Sequence, residues 1–184
     1  MLKKLKRFLV SRIKRLGIVD ALLFGSAVKG KVLPGDIDVC LIFRNKVSLE
    51  VVDKLAKEAK SKGFNLHIST LTIDNFFTKP HSLIRTLLKE GISISTGRKF
   101  SENFNLKSFT LYSYTLKKIK PSSRVRFVYL LKGRGKESGF VKRLNGKWIN
   151  DGCFIIPIEK DNEILEVMKR WKINYKREVL LLIS

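Results

Sequence analysis

Apolar residues in this chain come in short runs, never more than five long, as at Phe127 to Leu131. A membrane-crossing helix needs about 20 in succession, so the chain is expected to cross no membrane and to build its core from many short elements. Through the first hundred residues these runs alternate with stretches in which apolar positions recur every three or four residues. Extended runs alternating with helical periodicity imply a small α/β domain. The runs read as strands are Asp20 to Phe24, Ile37 to Phe43, Phe64 to Leu71 and Ile92 to Ser95. Leu49 to Lys62 reads as a helix, with Ser48 as its N-cap and Gly63 at its end. Thr72 to Phe77 begins a shorter helix, and Ser82 to Glu90 forms another that Gly91 stops.

The chain opens with a helix, Leu2 to about Gly17. Leu2, Leu5, Phe8, Leu9, Ile13 and Leu16 share one face, and lysines and arginines fill the other. Such a helix docks on a core or lies on a membrane surface. Docking is preferred, because a helix that opens a globular domain has a place for an apolar stripe. The basic start lacks the 7–15-residue apolar block of a secretory leader. Two cysteines, Cys40 and Cys153, are too few for a zinc cage or a disulfide framework. The expectation is a soluble, cytoplasmic protein without a membrane partner.

Charge narrows the function. There are 38 Lys and Arg against 16 Asp and Glu, a formal net of +22. Self-repulsion of that size opposes a compact fold, and its common use is to hold a polyanion such as nucleic acid or nucleotide phosphates. A Lys-rich thermophile surface is the competing reading, and the absence of glutamine suits it. Such surfaces balance Lys with Glu, however, and this one does not. Both halves carry the excess. It is densest from Lys117 to Lys147, with 11 basic residues and one acid, Glu137.

One constellation carries chemistry. Phe24-Gly25-Ser26 lies at a strand end, and after nine intervening residues Asp36-Ile37-Asp38 enters the next strand. Side chains alternate along a strand, so Asp36 and Asp38 point the same way while Ile37 and Val39 face the core. Two neighbouring carboxylates repel unless a cation lies between them. Mg²⁺ suits them, because it takes one or two carboxylates plus substrate phosphates. Gly25 admits a phosphate close to the backbone, Ser26 adds a hydroxyl, and Lys29 and Lys31 bring positive charge.

Phe24-Gly25-Ser26-Ala27-Val28-Lys29-Gly30, followed by Asp36-Ile37-Asp38-Val39, resembles the signature of the DNA polymerase β-like nucleotidyltransferase superfamily. It looks most like the minimal archaeal and bacterial nucleotidyltransferases. Ile84 to Ile94 resembles the helix and strand that close that minimal domain, and the likeness spans residues 20–96. The resemblance implies a mixed sheet flanked by helices and the transfer of a nucleoside monophosphate from a triphosphate to a hydroxyl, with loss of pyrophosphate. It implies Gly25 and Ser26 as nucleotide-binding, Lys29 as a phosphate neighbour, and Asp36 and Asp38 as ligands of Mg²⁺ or Mn²⁺. Catalytic members carry a third carboxylate on the third strand. Here that stretch reads Phe64-Asn65-Leu66-His67-Ile68-Ser69-Thr70 and holds no acid. Asn65, His67 and Ser69 share one face, and His67 is favoured for the catalytic place because a neutral imidazole ligates a metal or takes a proton.

The polar stretch from Gly97 to Asn103 marks a boundary, giving domains at residues 1–100 and 101–184. In the second, Ser101 to Lys120 is aromatic-rich and of undecided state. Arg124 to Lys132 reads as a helix, with a strand as the alternative. Asn145-Gly146 signals a hairpin between Phe140–Leu144 and Lys147–Ile149, and Asp151-Gly152 marks a turn before a strand, Cys153 to Ile158. A helix from Asn162 to Trp171 and a strand from Glu178 to Ile183 complete a small basic α+β module. Arg134, Lys136, Lys142, Arg143 and Lys147 surround that hairpin among Tyr129, Phe140 and Trp148. Basic groups for phosphates and flat rings for bases make a nucleic-acid surface, for RNA ahead of DNA. Three functions are compatible with these readings: nucleotidyl transfer to nucleic acid, a binding protein that keeps the fold without transfer, and nucleotidylation of a protein in the toxin–antitoxin manner.

Overall fold

A computed structural model describes residues 2–28, 36–78 and 82–183. It divides into two compact units, Met1–Asn105 and Leu106–Ser184. Among the described residues no helix is long and apolar enough to cross a membrane.

The first unit is built on four strands, β1 (Asp20–Phe24), β2 (Ile37–Phe43), β3 (Leu66–Thr72) and β4 (Ile92–Ser93), in the order β3-β2-β1-β4. The sheet is mixed. β1 runs antiparallel to β2 and β4, whereas β2 and β3 are parallel, joined by the crossover helix that parallel strands require. The helices are α1 (Leu2–Arg15), α2 (Leu49–Ser61), α3 (Ile73–Thr78) and α4 (Ser82–Glu90).

Strand alternation decides what each face meets. Ala21, Leu23, Val39 and Leu41 pack with Leu5 and Leu9 of α1 and Leu55 and Ala59 of α2. Leu22, Cys40 and Ile42, on the opposite face, pack with Ile84 and Leu87 of α4 and with Phe100. Helices therefore cover both faces. The stripe of α1 is core, with Leu5 and Leu9 fully buried, which places this helix on the protein and not on a membrane. Each such leucine contributes about 1.5–3 kcal/mol. Asp36 and Asp38 share the face on which Cys40 and Ile42 are buried, so β2 changes from polar to apolar along one side. The carboxylates stand at the end where that core begins.

The second unit is an antiparallel sheet of β5 (Leu106–Thr115), β6 (Lys147–Asn150), β7 (Cys153–Pro157) and β8 (Asn174–Ile183), in the order β6-β7-β5-β8. Helices α5 (Pro121–Lys132), α6 (Phe140–Arg143) and α7 (Asp161–Arg170) accompany it. Tyr112, Phe127, Leu131, Phe154 and Met168 are fully buried in its core. Asp161 accepts hydrogen bonds from the Tyr112 hydroxyl (2.7 Å) and from Arg177 Nε (3.0 Å) and Nη2, so one buried carboxylate joins β5, α7 and β8. Burial pushes Asp161 up, but the hydrogen bonds from Arg177 and Tyr112 outweigh it and hold the carboxyl below its usual range.

The Asn-Gly hairpin and the start of the last strand are corrected in this half, and the state of the aromatic stretch is resolved. Phe140 to Leu144 is not a strand but α6 and its cap. Asn145, at φ 59°, stops that helix: its amide bonds to Lys142 O and the Gly146 amide to Val141 O, the paired bonds of a Schellman end. The Asn-Gly pair is thus a helix stop, and the hairpin is formed by β6 and β7 around Asp151-Gly152. The aromatic stretch becomes a 3-10 turn, Phe100–Phe104, followed by the long strand β5. The last strand begins at Asn174, because β8 pairs with the whole length of β5.

Candidate functional site

β1 ends at Phe24, and the chain turns through a 3-10 segment, Gly25–Ala27. Gly25 has φ +68°, a conformation that costs a side-chain-bearing residue about 1–2 kcal/mol. A Cβ at this position would stand 2.2 Å from Asp38 Oδ2, so the space a side chain would fill is taken by that carboxylate. The antiparallel register explains the meeting, because Phe24 lies opposite Asp38.

Each of the two carboxylates has a partner on β3 or immediately ahead of it. Asp36, exposed just ahead of β2, accepts a hydrogen bond from Asn65 Nδ2. Asp38 is half-buried, and its Oδ1 lies 3.1 Å from His67 Nδ1. Parallel pairing sets Ile37 beside Leu66 and Asp38 beside His67, so Asn65 and His67 fall next to Asp36 and Asp38. Ser69, the third residue on that face, sits further along, beside Cys40. His67 keeps most of its ring in solvent, its side chain 74% exposed. Lys29 and Lys31 lie outside the described residues.

Sequence reasoning took Glu90 only as the last residue of a helix. The structure brings its Oε1 to 3.2 Å from the Gly25 amide, which donates to it. The contact ties the glycine turn to the end of α4. Its one sequence signal is position: Glu90 ends the helix just before Gly91, where a Cβ would meet Leu87 O at 2.5 Å.

The donor set fits a single hard cation. Asp36 and Asp38 supply carboxylate oxygens, and Mg²⁺ characteristically combines one or two of these with phosphate oxygens of a substrate. The cradle at Gly25, open to a carboxylate because no side chain is there, agrees with that use. Among the described residues no three His, Cys, Asp or Glu side chains converge on one point.

The family model described as "Nucleotidyltransferase domain" matches residues 2–94, just over half of the chain. The chain belongs to that family. No curated protein matches it significantly. Among solved structures, this nucleotidyltransferase is similar to a tri-AMPylated Shewanella oneidensis HEPN toxin in complex with MNT antitoxin, at 12% identity over 56% of this chain and 79% of that one, with a TM-score of 0.39. It is similar also to a mutant of the toxin-antitoxin MntA-HpeT, at 10% identity over 67% and 88% of the two chains, with a TM-score of 0.41. A third likeness is to a toxin-antitoxin with AMP-PNP, at 12% identity over 67% and 89%, again with a TM-score of 0.41.

The basic residues singled out in the second half of the chain do not ring the Asn145-Gly146 turn as a hairpin. Arg134 and Lys136 lie in the loop after α5, Lys142 and Arg143 on α6, and Lys147 opens β6. All five are exposed. Arg134 stacks over Tyr129 at 5.3 Å and Arg143 over Phe140 at 5.5 Å. Trp148 is half-buried against Phe154, at 5.2 Å between rings, so it belongs to the core.

Proposed function

We propose that this nucleotidyltransferase moves a nucleoside monophosphate from a nucleoside triphosphate to a hydroxyl of a nucleic acid, RNA ahead of DNA. Asp36 and Asp38 would hold Mg²⁺ or Mn²⁺. The observation that carries the reading is the seating of Asp38 against Gly25, which puts a carboxylate and the glycine–serine turn at one point. When bound there, the metal supplies positive charge to the phosphate oxygens and fixes their arrangement.

The chain's own groups take the remaining roles. Ser26 and the backbone beside Gly25 receive the phosphates, with Lys29 as a neighbouring charge. The acceptor oxygen bonds to the α-phosphorus, the bond to the β-phosphate oxygen breaks, and pyrophosphate leaves with that electron pair. The hydroxyl proton goes to His67. Its Nδ1 is engaged with Asp38, which orients the ring and leaves Nε2 as the basic nitrogen. Chemistry of this kind depends on positioning and charge more than on a protein nucleophile. The net charge of +22 and the exposed arginines stacked on Tyr129 and Phe140 support a nucleic-acid acceptor.

One observation favours a second reading, a binding protein without transfer: Asn65, just ahead of β3, and His67 on it set an amide and an imidazole, and no acid, beside the two aspartates. A single assay separates the readings. The protein is incubated with Mg²⁺ or Mn²⁺, each α-labelled triphosphate, and RNA, DNA or protein acceptors, with Asp38→Ala as control. Label in RNA, absent with Asp38→Ala, is the expected result. Label in protein only would reassign the acceptor. Triphosphate binding without transfer would favour the second reading, and no nucleotide binding would overturn the first.

A further inference from the structure

The second unit contains a cavity of about 840 Å³ between the start of α5 and the end of α7. Lys118, Lys120, Arg170 and Lys172 line it, and no acid does. None of the four is ion-paired among the described residues. Ile119, Leu130 and Val167 form an apolar wall. Trp171 also lines the cavity, half-buried, with its ring 5.5 Å from Phe127.

The bland account of these charges explains only part of them. Cations at the end of a helix complement its dipole, which suits Lys169 and Arg170 on α7. The start of α5 is the positive end, where the same rule asks for acids. Its first turn has none, its N-cap residue is Lys120, and no side chain caps it. Arg124 adds a further charge there and pins the preceding loop, donating from Nε to Ile119 O (2.6 Å) and from Nη2 to Lys117 O (3.0 Å). Lys118 and Lys120 are therefore held in a fixed loop against a positive helix end. Lys172 also sits where local structure prefers another residue. Its φ is +51°, at the left-handed stop of α7, a place that glycine fills without strain. The cations gathered at the start of α5 repel one another and the helix end, and a bound anion relieves that repulsion.

We propose that this cavity is a nucleotide-phosphate site, taking the phosphate on Lys118, Lys120, Arg170 and Lys172 and the base or sugar against Trp171 and the apolar wall. Its size suits a nucleotide, since pockets for small organic ligands run to about 300–1,000 Å³. A flat ring beside clustered cations is the pairing that single-stranded nucleic acid and free nucleotides share. The assignment goes beyond the transfer reaction and does not depend on it.

The test uses the full chain. It has two tryptophans, so Trp148→Phe leaves Trp171 as the one indole reporter. That protein is titrated with a short oligouridylate, with UMP and with inorganic phosphate at several salt concentrations. Quenching of Trp171 by the oligouridylate is expected; quenching by UMP as well would make the free nucleotide a ligand in its own right. Lys118→Ala and Lys172→Gly should each lower the salt slope of oligouridylate binding by about 0.7. Lys172→Gly should do so while raising the melting temperature by about 2–4 °C, which separates lost binding from lost folding. Asp38→Asn should bind like wild type in this assay, so failure here is distinct from failure of the transfer reading. Unchanged Trp171 emission at saturating oligouridylate, unchanged slopes in both lysine variants, or oligouridylate affinity no higher than that of phosphate would overturn the proposal.

Discussion

Replacing Gly25 by alanine imposes two separable penalties. The first is conformational. At φ +68° a β-carbon costs about 1–2 kcal/mol, with no reference to the site. The second is steric and falls on the chemistry. The new methyl would stand 2.2 Å from Asp38 Oδ2 and 3.1 Å from its Cγ, so the carboxylate must retreat by about 1 Å to reach ordinary contact. Such a retreat disturbs the 3.1 Å link to His67. A displacement of about 1 Å among catalytic groups costs about 10²-fold in rate. Gly17→Ala is the matched control: Gly17 has φ +67°, and a Cβ there meets nothing within 4 Å. Both variants should lose about 1–2 kcal/mol in thermal or urea unfolding. Only Gly25→Ala should lose nucleotidyl transfer, by about 10²-fold. Equal activity in the two variants would refute the claim that glycine is present to seat the aspartate.

Three further outcomes follow from other parts of the molecule. Asp161→Ala leaves the buried Tyr112 hydroxyl without its acceptor and unpairs Arg177, which solvent reaches, and should cost about 1–3 kcal/mol at pH 7. Because the carboxyl is held below its usual range, its contribution is complete above about pH 4 and fades as pH falls toward the depressed value. The gap between wild type and variant in urea unfolding should therefore narrow at pH 3, and a gap that widens would contradict the assignment. Burial pushes the Cys40 thiol up to about 12, so alkylation of the folded protein at pH 8 should label half-buried Cys153 and spare Cys40, as peptide mapping would show. Removing Lys142 and Arg143 together should reduce the salt slope of single-stranded RNA binding by about 1.4; an unchanged slope would take the RNA elsewhere.

The first unit was legible because its pattern and its packing agree. Period-two runs and three–four periodicity each meet a partner layer, and register then places Asp38 beside His67 without any information beyond strand order. What the sequence concealed there is a long-range contact: Glu90 reaches the Gly25 amide from 65 residues away, and no local propensity encodes that. The second unit was less legible for a different reason. Asn145 and Gly146 adopt the backbone of a turn in either role, so the same pair signals a hairpin or ends a helix. The flanking Phe140 to Arg143 decides between them only through packing on α5 and β6. The state of Leu106 to Thr115 likewise depends on β7 and β8, whose paired residues lie 40 to 77 positions downstream.

Calorimetric titration with a non-hydrolysable triphosphate, in Mg²⁺ and again in chelator, bears most directly on the central claim. If Asp36 and Asp38 hold a cation at the glycine–serine turn, wild type binds the triphosphate with Mg²⁺, and binding is lost on chelation and in Asp36→Asn/Asp38→Asn. Equal affinity with and without the metal, or in the doubly substituted protein, would contradict it.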